Sequence, residues 1–243
     1  MPADFRGKVA LVTGVGRVGQ IGHAVARGLG RGGAKLLLAD VNAVGLADRV
    51  KEFSAEGIPA KACPGDLTQP DAARAAVALA QSHFGGLDVV VNVAGGLFSY
   101  GAFTEVTPDA LDRELAVNLK TAFFVCQAAV PALLARGGGG AIVNFASIAA
   151  VRPLMHMAGY SAAKSAVAGL TSALAREYRD AGIRVNAVAP ATVRTADNVA
   201  QLAPDPKTPF VEIEEVVRTV LFLASDEASG ITGHVVPVTG KAY

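Results

Sequence analysis

Apolar residues follow two alternating rhythms along this chain. Short, almost unbroken apolar runs end at glycine, proline or an acid, and longer segments repeat apolar positions every three or four residues. The first rhythm is that of a parallel strand buried on both faces, and the second is that of an amphipathic helix. The predicted strands are Lys8–Thr13, Ala34–Asp40, Ala60–Pro64, Leu87–Asn92, Ala141–Phe145, Ile183–Ala189 and His234–Thr239. Helices are expected from His23 onward and over Val41–Gly57, Gln69–Phe84, Pro108–Arg136, Ala158–Asp180 and Glu212–Ser225. Thr107 and Pro108 open the helix that runs to Arg136, and Pro131 is expected to kink or tighten its last turns. Pro237 suits a strand at the sheet edge. Pro204, Pro206 and Pro209 make the stretch between Pro190 and Glu212 a stiff loop rather than a helical lid. Strands and helices alternate with no linker, repeat or low-complexity tract. This predicts an α/β fold: one doubly wound parallel sheet of about seven strands, helices on both faces, in a single domain over residues 1–243.

Composition narrows the classes of function. Of the 243 residues, 51% are hydrophobic and 18% charged, which is the balance of a well-buried globular protein. A net charge of +1 offers no electrostatic footprint for nucleic acid or an anionic membrane, so neither is expected as a partner. Cys63 and Cys126 both sit in apolar runs and read as free buried thiols, which suits a reducing compartment. No metal-ligand spacing links Cys63, Cys126, His23, His83, His156 and His234, so no metal is expected. The N-terminal MPADFRGK has no long apolar core, and the apolar run Thr121–Ala135 is too short to span a bilayer. A soluble, cytoplasmic protein is expected.

Three features carry chemistry. Gly14, Gly16 and Gly22 punctuate a turn between the first strand and the helix after it. Bare glycines there let backbone amides approach a pyrophosphate at a helix N-terminus. Asp40 closes the second strand, where an acid accepts hydrogen bonds from ribose hydroxyls and repels a 2′-phosphate; otherwise it is a turn or cap residue. Arg17 in the glycine turn pulls the other way, toward NADP, but Asp40 weighs more, so NAD is the expected cofactor. Finally, Tyr160 and Lys164 stand one helical turn apart on one face, with Ser147 thirteen positions earlier at a strand end. An ammonium within about 4–6 Å typically lowers a pKa by about 1–3 units, which favours the phenolate. The serine hydroxyl is placed to hold the oxygen that the tyrosine protonates. A lone Tyr-x-x-x-Lys arises by chance in many helices; the dinucleotide cradle upstream is what gives this one meaning.

Together these residues resemble the short-chain dehydrogenase/reductase family, over nearly the whole chain. The resemblance implies a Rossmann-like fold, hydride transfer between NAD(P) and a carbonyl or secondary alcohol, and roles for further residues. Asp66 and Leu67 match the pair beside the adenine. Asn92-Val93-Ala94-Gly95 matches the family's Asn-Asn-Ala-Gly, with Val93 in the second position. Asn92 is then expected to tie strand ends together, and Ala94 and Gly95 to pass beneath the ribose. Asn118 matches the helix asparagine that holds a kink open so that a water connects the active-site lysine to solvent. Pro190 opens the family's Pro-Gly step, here Pro190-Ala191. Beyond it, the Val193 backbone is placed for the nicotinamide carboxamide, and the Thr195 hydroxyl for a phosphate or that amide. Lys164 is implied to hold the ribose hydroxyls.

The glycine turn departs from the usual pattern. It carries two extra residues before Ile21-Gly22, and Gln20 stands where the middle glycine is expected, similar to the enoyl-reductase branch. His156 reads as a pocket wall residue beside Tyr160. The walls expected are Gly95–Phe103, bearing Phe98, Tyr100 and Phe103, and Arg152–Met157, which suit compact cyclic ketones or alcohols better than long acyl thioesters. Two rival readings are a reductase of the quinonoid dihydropteridine type, faintly suggested by the C-terminal VPVTGKAY, and a non-catalytic dinucleotide-binding protein. Ser147 argues against the first, and the retained Tyr160 and Lys164 against the second. The family also implies pairing of the helices Pro108–Arg136 and Ala158–Asp180 across a two-fold axis into a homotetramer, with a dimer as second choice.

Overall fold

The computed structural model describes residues 3–202 and 209–240. Seven strands form one parallel sheet in the order β3-β2-β1-β4-β5-β6-β7. The strands are β1 (Val9–Thr13), β2 (Lys35–Asp40), β3 (Ala60–Pro64), β4 (Val89–Asn92), β5 (Gly140–Phe145), β6 (Ile183–Pro190) and β7 (Val235–Val238). Their uninterrupted apolar runs are what two-sided burial requires. Alternate residues feed two separate cores. Ala10, Val12, Leu36, Leu38 and Val91 pack against α1 (Ile21–Arg31), α2 (Ala43–Ala55) and α9 (Ile213–Ala224). Leu11, Leu37, Val90 and Ile142 pack on the other face, against α3 (Pro70–Phe84) and α5 (Thr121–Ala135). Each fully buried Leu or Val of this kind contributes about 1.5–3 kcal/mol over leaving it exposed. Pro237 does lie in the edge strand β7, paired only with β6.

The chain runs outward from β1 to β2 and β3, then crosses to β4 on the other side of β1. The crevice where strand order reverses opens at the carboxyl ends of β1 and β4, and ligands bind at such a switch point in open α/β sheets. Behind it, Asn92 Nδ2 donates to Asn144 Oδ1 at 2.9 Å, and Asn144 Nδ2 donates to the Thr171 hydroxyl at 3.0 Å. This buried chain ties β4 to β5 and to α7 (Ala158–Tyr178).

Two expectations change. The helix over 108–136 is not uniform: α4 (Pro108–Leu115) passes through a π-turn at Ala116–Lys120 into α5. Asn118 sits in that turn and donates from Nδ2 to the Glu114 carbonyl at 3.1 Å and to the Gly96 carbonyl at 2.9 Å, so a side chain competes with the ordinary helix bonds. Pro131 lies inside α5 without ending it. The resulting run, Pro108–Ala135, has 28 residues and a most apolar window of mean hydropathy 1.5, so length alone would let it cross a bilayer; half of that window is buried inside the fold. The stretch after Pro190 also differs, because α8 (Ala196–Leu202) forms there. The Thr195 hydroxyl accepts from the Asn198 N–H at 3.2 Å and starts the helix, while the prolines come only after it. Pro204 and Pro206 lie outside the described residues, as does the end of the VPVTGKAY segment, from Lys241.

Candidate active site

A cleft of about 430 Å³ lies over the switch point. Its lining includes Gly14, Gln20, Ile21 and Gly22 from the glycine turn, Asp40 and Val41 after β2, Asp66 and Leu67 after β3, and Ala94 and Gly95 after β4. The turn has room only for backbone. A Cβ on Gly22 would overlap the Gly14 carbonyl oxygen and sit 2.8 Å from its carbon; one on Gly16 would sit 2.9 Å from the Asp40 carboxyl carbon. Gly14 itself has φ +72° and lies against the Ala94 backbone. Asp40 accepts from the Gly16 N–H at 2.8 Å and the Asn42 N–H at 2.9 Å, which locks the turn to the end of β2. Asp66 accepts from the Thr68 N–H at 3.0 Å, so it makes its own turn while lining the cleft. These bare positions, the N-terminus of α1 and the flanking acid fit an extended dinucleotide.

The two extra residues carry the turn toward α8. The Ala196 N–H donates to the Gly19 carbonyl at 3.0 Å, and Arg17 pairs with Asp197 at 2.7 Å. Arg17 is therefore engaged by α8.

The catalytic candidates lie outside this lining, and Gly95 is where two of them, Asn118 and Lys164, meet it. A Cβ on Gly95 would fall 2.7 Å from Asn118 Oδ1 and 3.1 Å from Lys164 Nζ, so only glycine fits. Lys164 is buried and donates to the Phe145 carbonyl at 2.8 Å, beside the strand end that delivers Ser147. Ser147 caps the short helix α6 (Ile148–Val151), accepting from the Ala149 N–H at 3.2 Å. Lys164 Nζ stands 5.7 Å from the Tyr160 ring centre.

The electrostatics differ from the expectation drawn from spacing alone. Burial pushes the Tyr160 phenol up, the Ser147 hydrogen bond pulls it back, and the nearby Glu114 charge adds to the rise. Burial likewise takes Lys164 down to about 8, with Glu114 opposing. Within the protein alone, desolvation outweighs the ammonium's help to the phenolate.

Other candidates fall elsewhere. Pro190, Val193 and Thr195 stand at and beyond the end of β6, outside the lining of the cleft. The Val193 carbonyl accepts from the Thr195 N–H at 2.7 Å and from Asn198 Nδ2 at 2.8 Å. The Thr195 hydroxyl is a helix cap, as described above. The two expected wall segments do meet: the Gly101 N–H donates to the His156 carbonyl at 3.0 Å, and the Tyr100 and His156 rings stand 5.5 Å apart. His156 holds φ 65° there, which is rare for a side-chain-bearing residue. Cys126 accepts from Asn92 Nδ2 at 3.3 Å, and burial pushes its thiol up to about 12, so it is inert packing.

Sequence reasoning missed Val41, Val117, Thr121 and, above all, Glu114. The first three line the cleft. Glu114 is fully buried one turn before Asn118. A charged residue in register with Asn118 on the inner face of a helix is the signal that marks it.

Comparison with known proteins agrees with this geometry. The family model described as enoyl-(acyl carrier protein) reductase matches residues 14–240. Cyclohexanol dehydrogenase of Acinetobacter sp. (strain SE19) is 38% identical over 245 residues, covering 99% of this chain and 96% of the relative. A short-chain type dehydrogenase/reductase from Mycobacterium ulcerans superposes with a TM-score of 0.92 at 33% identity, over 98% of this chain and 90% of that one. A 7α-hydroxysteroid dehydrogenase solved with NADH and 7-oxo glycochenodeoxycholic acid superposes with a TM-score of 0.90 at 28% identity, over 98% and 95%.

Proposed function

The chain belongs to the short-chain dehydrogenase/reductase family, and from that premise we propose that it interconverts a compact cyclic secondary alcohol and its ketone with NAD(H). The observation that carries the reading is that Lys164 and Asn118 flank Gly95, a residue lining a dinucleotide-sized cleft, with the Tyr160 ring 5.7 Å from the Lys164 ammonium.

Each residue then has a task. In reduction, Tyr160 releases its phenolic proton to the substrate oxygen, and in oxidation it takes the proton back. Ser147 donates a hydrogen bond to the same oxygen and holds it beside Tyr160. Lys164 supplies the positive charge that compensates the phenolate and a donor for ribose hydroxyls. Asn118 fixes the Gly95–Gly96 backbone beneath them, through bonds in both directions with Gly96. The nicotinamide, when bound, supplies or accepts the hydride. Asp40 favours the 2′-hydroxyl of NAD, and the pairing of Arg17 with Asp197 weakens its competing pull toward a 2′-phosphate.

Cyclic substrates are favoured by the aromatic side chains of the wall, Phe98 and Tyr100, and by the name of the cyclohexanol-oxidising relative. The description of the matching family model points instead to acyl thioesters, and one comparison separates them. Under identical conditions with NAD(H), kcat/KM for cyclohexanone and cyclohexanol is expected to exceed that for an enoyl thioester. A clear preference for the thioester refutes the cyclic reading and leaves the family standing. A homotetramer is also proposed, supported by the exposed apolar Phe123 and Leu134 on α5; light scattering at the mass of one 24.7 kDa chain refutes it. The free Cys63 and Cys126 support a cytoplasmic setting.

A further inference from the structure

Glu114 has no exposed surface. One carboxylate oxygen accepts from the backbone N–H groups of Phe98 and Ser99, both at 2.7 Å, and from the Ser99 hydroxyl at 3.2 Å. The other accepts from Asn118 Nδ2 at 2.9 Å. Backbone amides and a carboxamide NH₂ can only donate, so both oxygens accept, an arrangement that suits the carboxylate anion, which has no proton of its own to place among these donors. Glutamine in its place turns one NH₂ toward a donor. A fully buried anion is expensive to desolvate, and a merely space-filling residue would avoid that cost.

The anion stands at the head of a continuous line of contacts. Asn118 Oδ1 accepts from the Gly96 N–H at 3.0 Å, and the Gly95 backbone separates Asn118 from Lys164. The Glu114 charge also raises the proton affinity of both members of the acid/base pair, though burial outweighs it at Lys164. The other charged or titratable groups near this wall are exposed and therefore screened: Arg113, stacked 4.5 Å over Phe98, and Arg152, Tyr100 and His156.

Resting on the function proposed above, we infer that Glu114 is a positioning residue whose fixed negative charge, seated between the wall segment at Phe98–Ser99 and Asn118, sets the pH range in which the Tyr160–Lys164 pair works. The sign is unambiguous. Removing an anion lowers the proton affinity of every group around it, so the coupled pair loses its protons at lower pH, whichever member a profile reports.

The test uses Glu114→Gln, which removes the charge, and Glu114→Asp, which withdraws it by one methylene. NADH affinity is titrated by fluorescence over roughly pH 6 to 10, alongside the pH profile of alcohol oxidation. The Gln variant is expected to shift both midpoints acid-ward by roughly half to one unit, with a loss in kcat larger than the change in KM. The Asp variant is expected to shift them the same way by less, and it decides the matter if the Gln variant does not fold. Folded variants with lower thermal stability but unmoved midpoints overturn the inference, because a purely structural carboxylate behaves that way. A wild-type NADH affinity that is flat with pH overturns it as well. If the wild-type protein oxidises no alcohol, the proposed function fails, while the NADH titration still decides the role of Glu114.

Discussion

Gly22→Ala is the smallest change with the largest expected consequence for the dinucleotide cradle. The new methyl group would overlap the Gly14 carbonyl oxygen, lie 2.8 Å from the Gly14 carbonyl carbon and lie 3.2 Å from the Thr13 oxygen. All three are backbone atoms, so no side chain can turn away to relieve the clash. Gly14 is also pinned: its N–H donates to the Ala39 carbonyl at 2.9 Å, and it lies against Ala94 across the switch point. Relief therefore displaces the turn by something on the order of 1 Å, with an overpacking cost of about 1–3 kcal/mol. For a chain of this size, that lowers Tm by roughly 3–10 °C. The same displacement misaligns amides aimed at a pyrophosphate. Losing even one bond to a charged group costs about 1.5–3 kcal/mol, so NADH affinity should weaken by at least about tenfold. Gly57→Ala is a comparison outside the cradle, because its methyl group would meet nothing within 4 Å and its cost is confined to the positive φ of 75° there, so it should leave NADH affinity unchanged. Differential scanning calorimetry and NADH fluorescence titration read both effects. If Gly22→Ala keeps the wild-type Tm and affinity, the turn does not close on Gly14 as described.

Two further outcomes are expected. Asp40→Ser removes the charge facing a 2′-phosphate, so the ratio of NADPH to NADH dissociation constants should fall by about tenfold or more; an unchanged ratio, or a wild-type protein that prefers NADPH, refutes the role of Asp40. His23 is buried against Phe53, and its burial, with the charges of Arg27 and Arg49, holds its pKa down to about 4. Glu52 contacts the ring at 3.0 Å, but Arg27 and Arg49 share its charge. The unfolded chain then binds a proton near pH 6.5 that the native state refuses, so this contribution is complete above that pH and is lost as pH falls toward 4, on the order of 3 kcal/mol at most. Urea unfolding at both pH values should show a steeper loss for wild type than for His23→Gln, and equal losses would refute it.

The sheet was legible because its strands are buried on both faces: runs such as KVALVT and LDVVVN leave no other use for so many consecutive apolar side chains. The order of the glycine turn, the acid after β2 and the Tyr-x-x-x-Lys pair was equally plain, since each is local. What stayed hidden depends on partners distant in sequence. The π-turn at Ala116–Lys120 exists because Asn118 bonds to Gly96, which its own helix does not contain. Glu114 looked like one more polar residue of α4, since its amide partners, Phe98 and Ser99, come from the preceding loop. Helix α8 was obscured by prolines that lie beyond its end. The sign of the Tyr160 shift was misjudged because spacing reports the neighbouring charge and says nothing of burial, which here is larger.

The central claim, that Tyr160 carries the proton between protein and substrate oxygen, is tested most directly by Tyr160→Phe. The substitution removes one oxygen from a partly buried ring and leaves the cofactor cradle untouched. With cyclohexanol and NAD, or cyclohexanone and NADH, kcat is expected to fall by at least about a hundredfold, the range of a lost general acid or base, while the NADH dissociation constant stays within about threefold of wild type. A variant that retains more than about a tenth of the wild-type kcat, a barrier change under about 1.4 kcal/mol, contradicts the assignment.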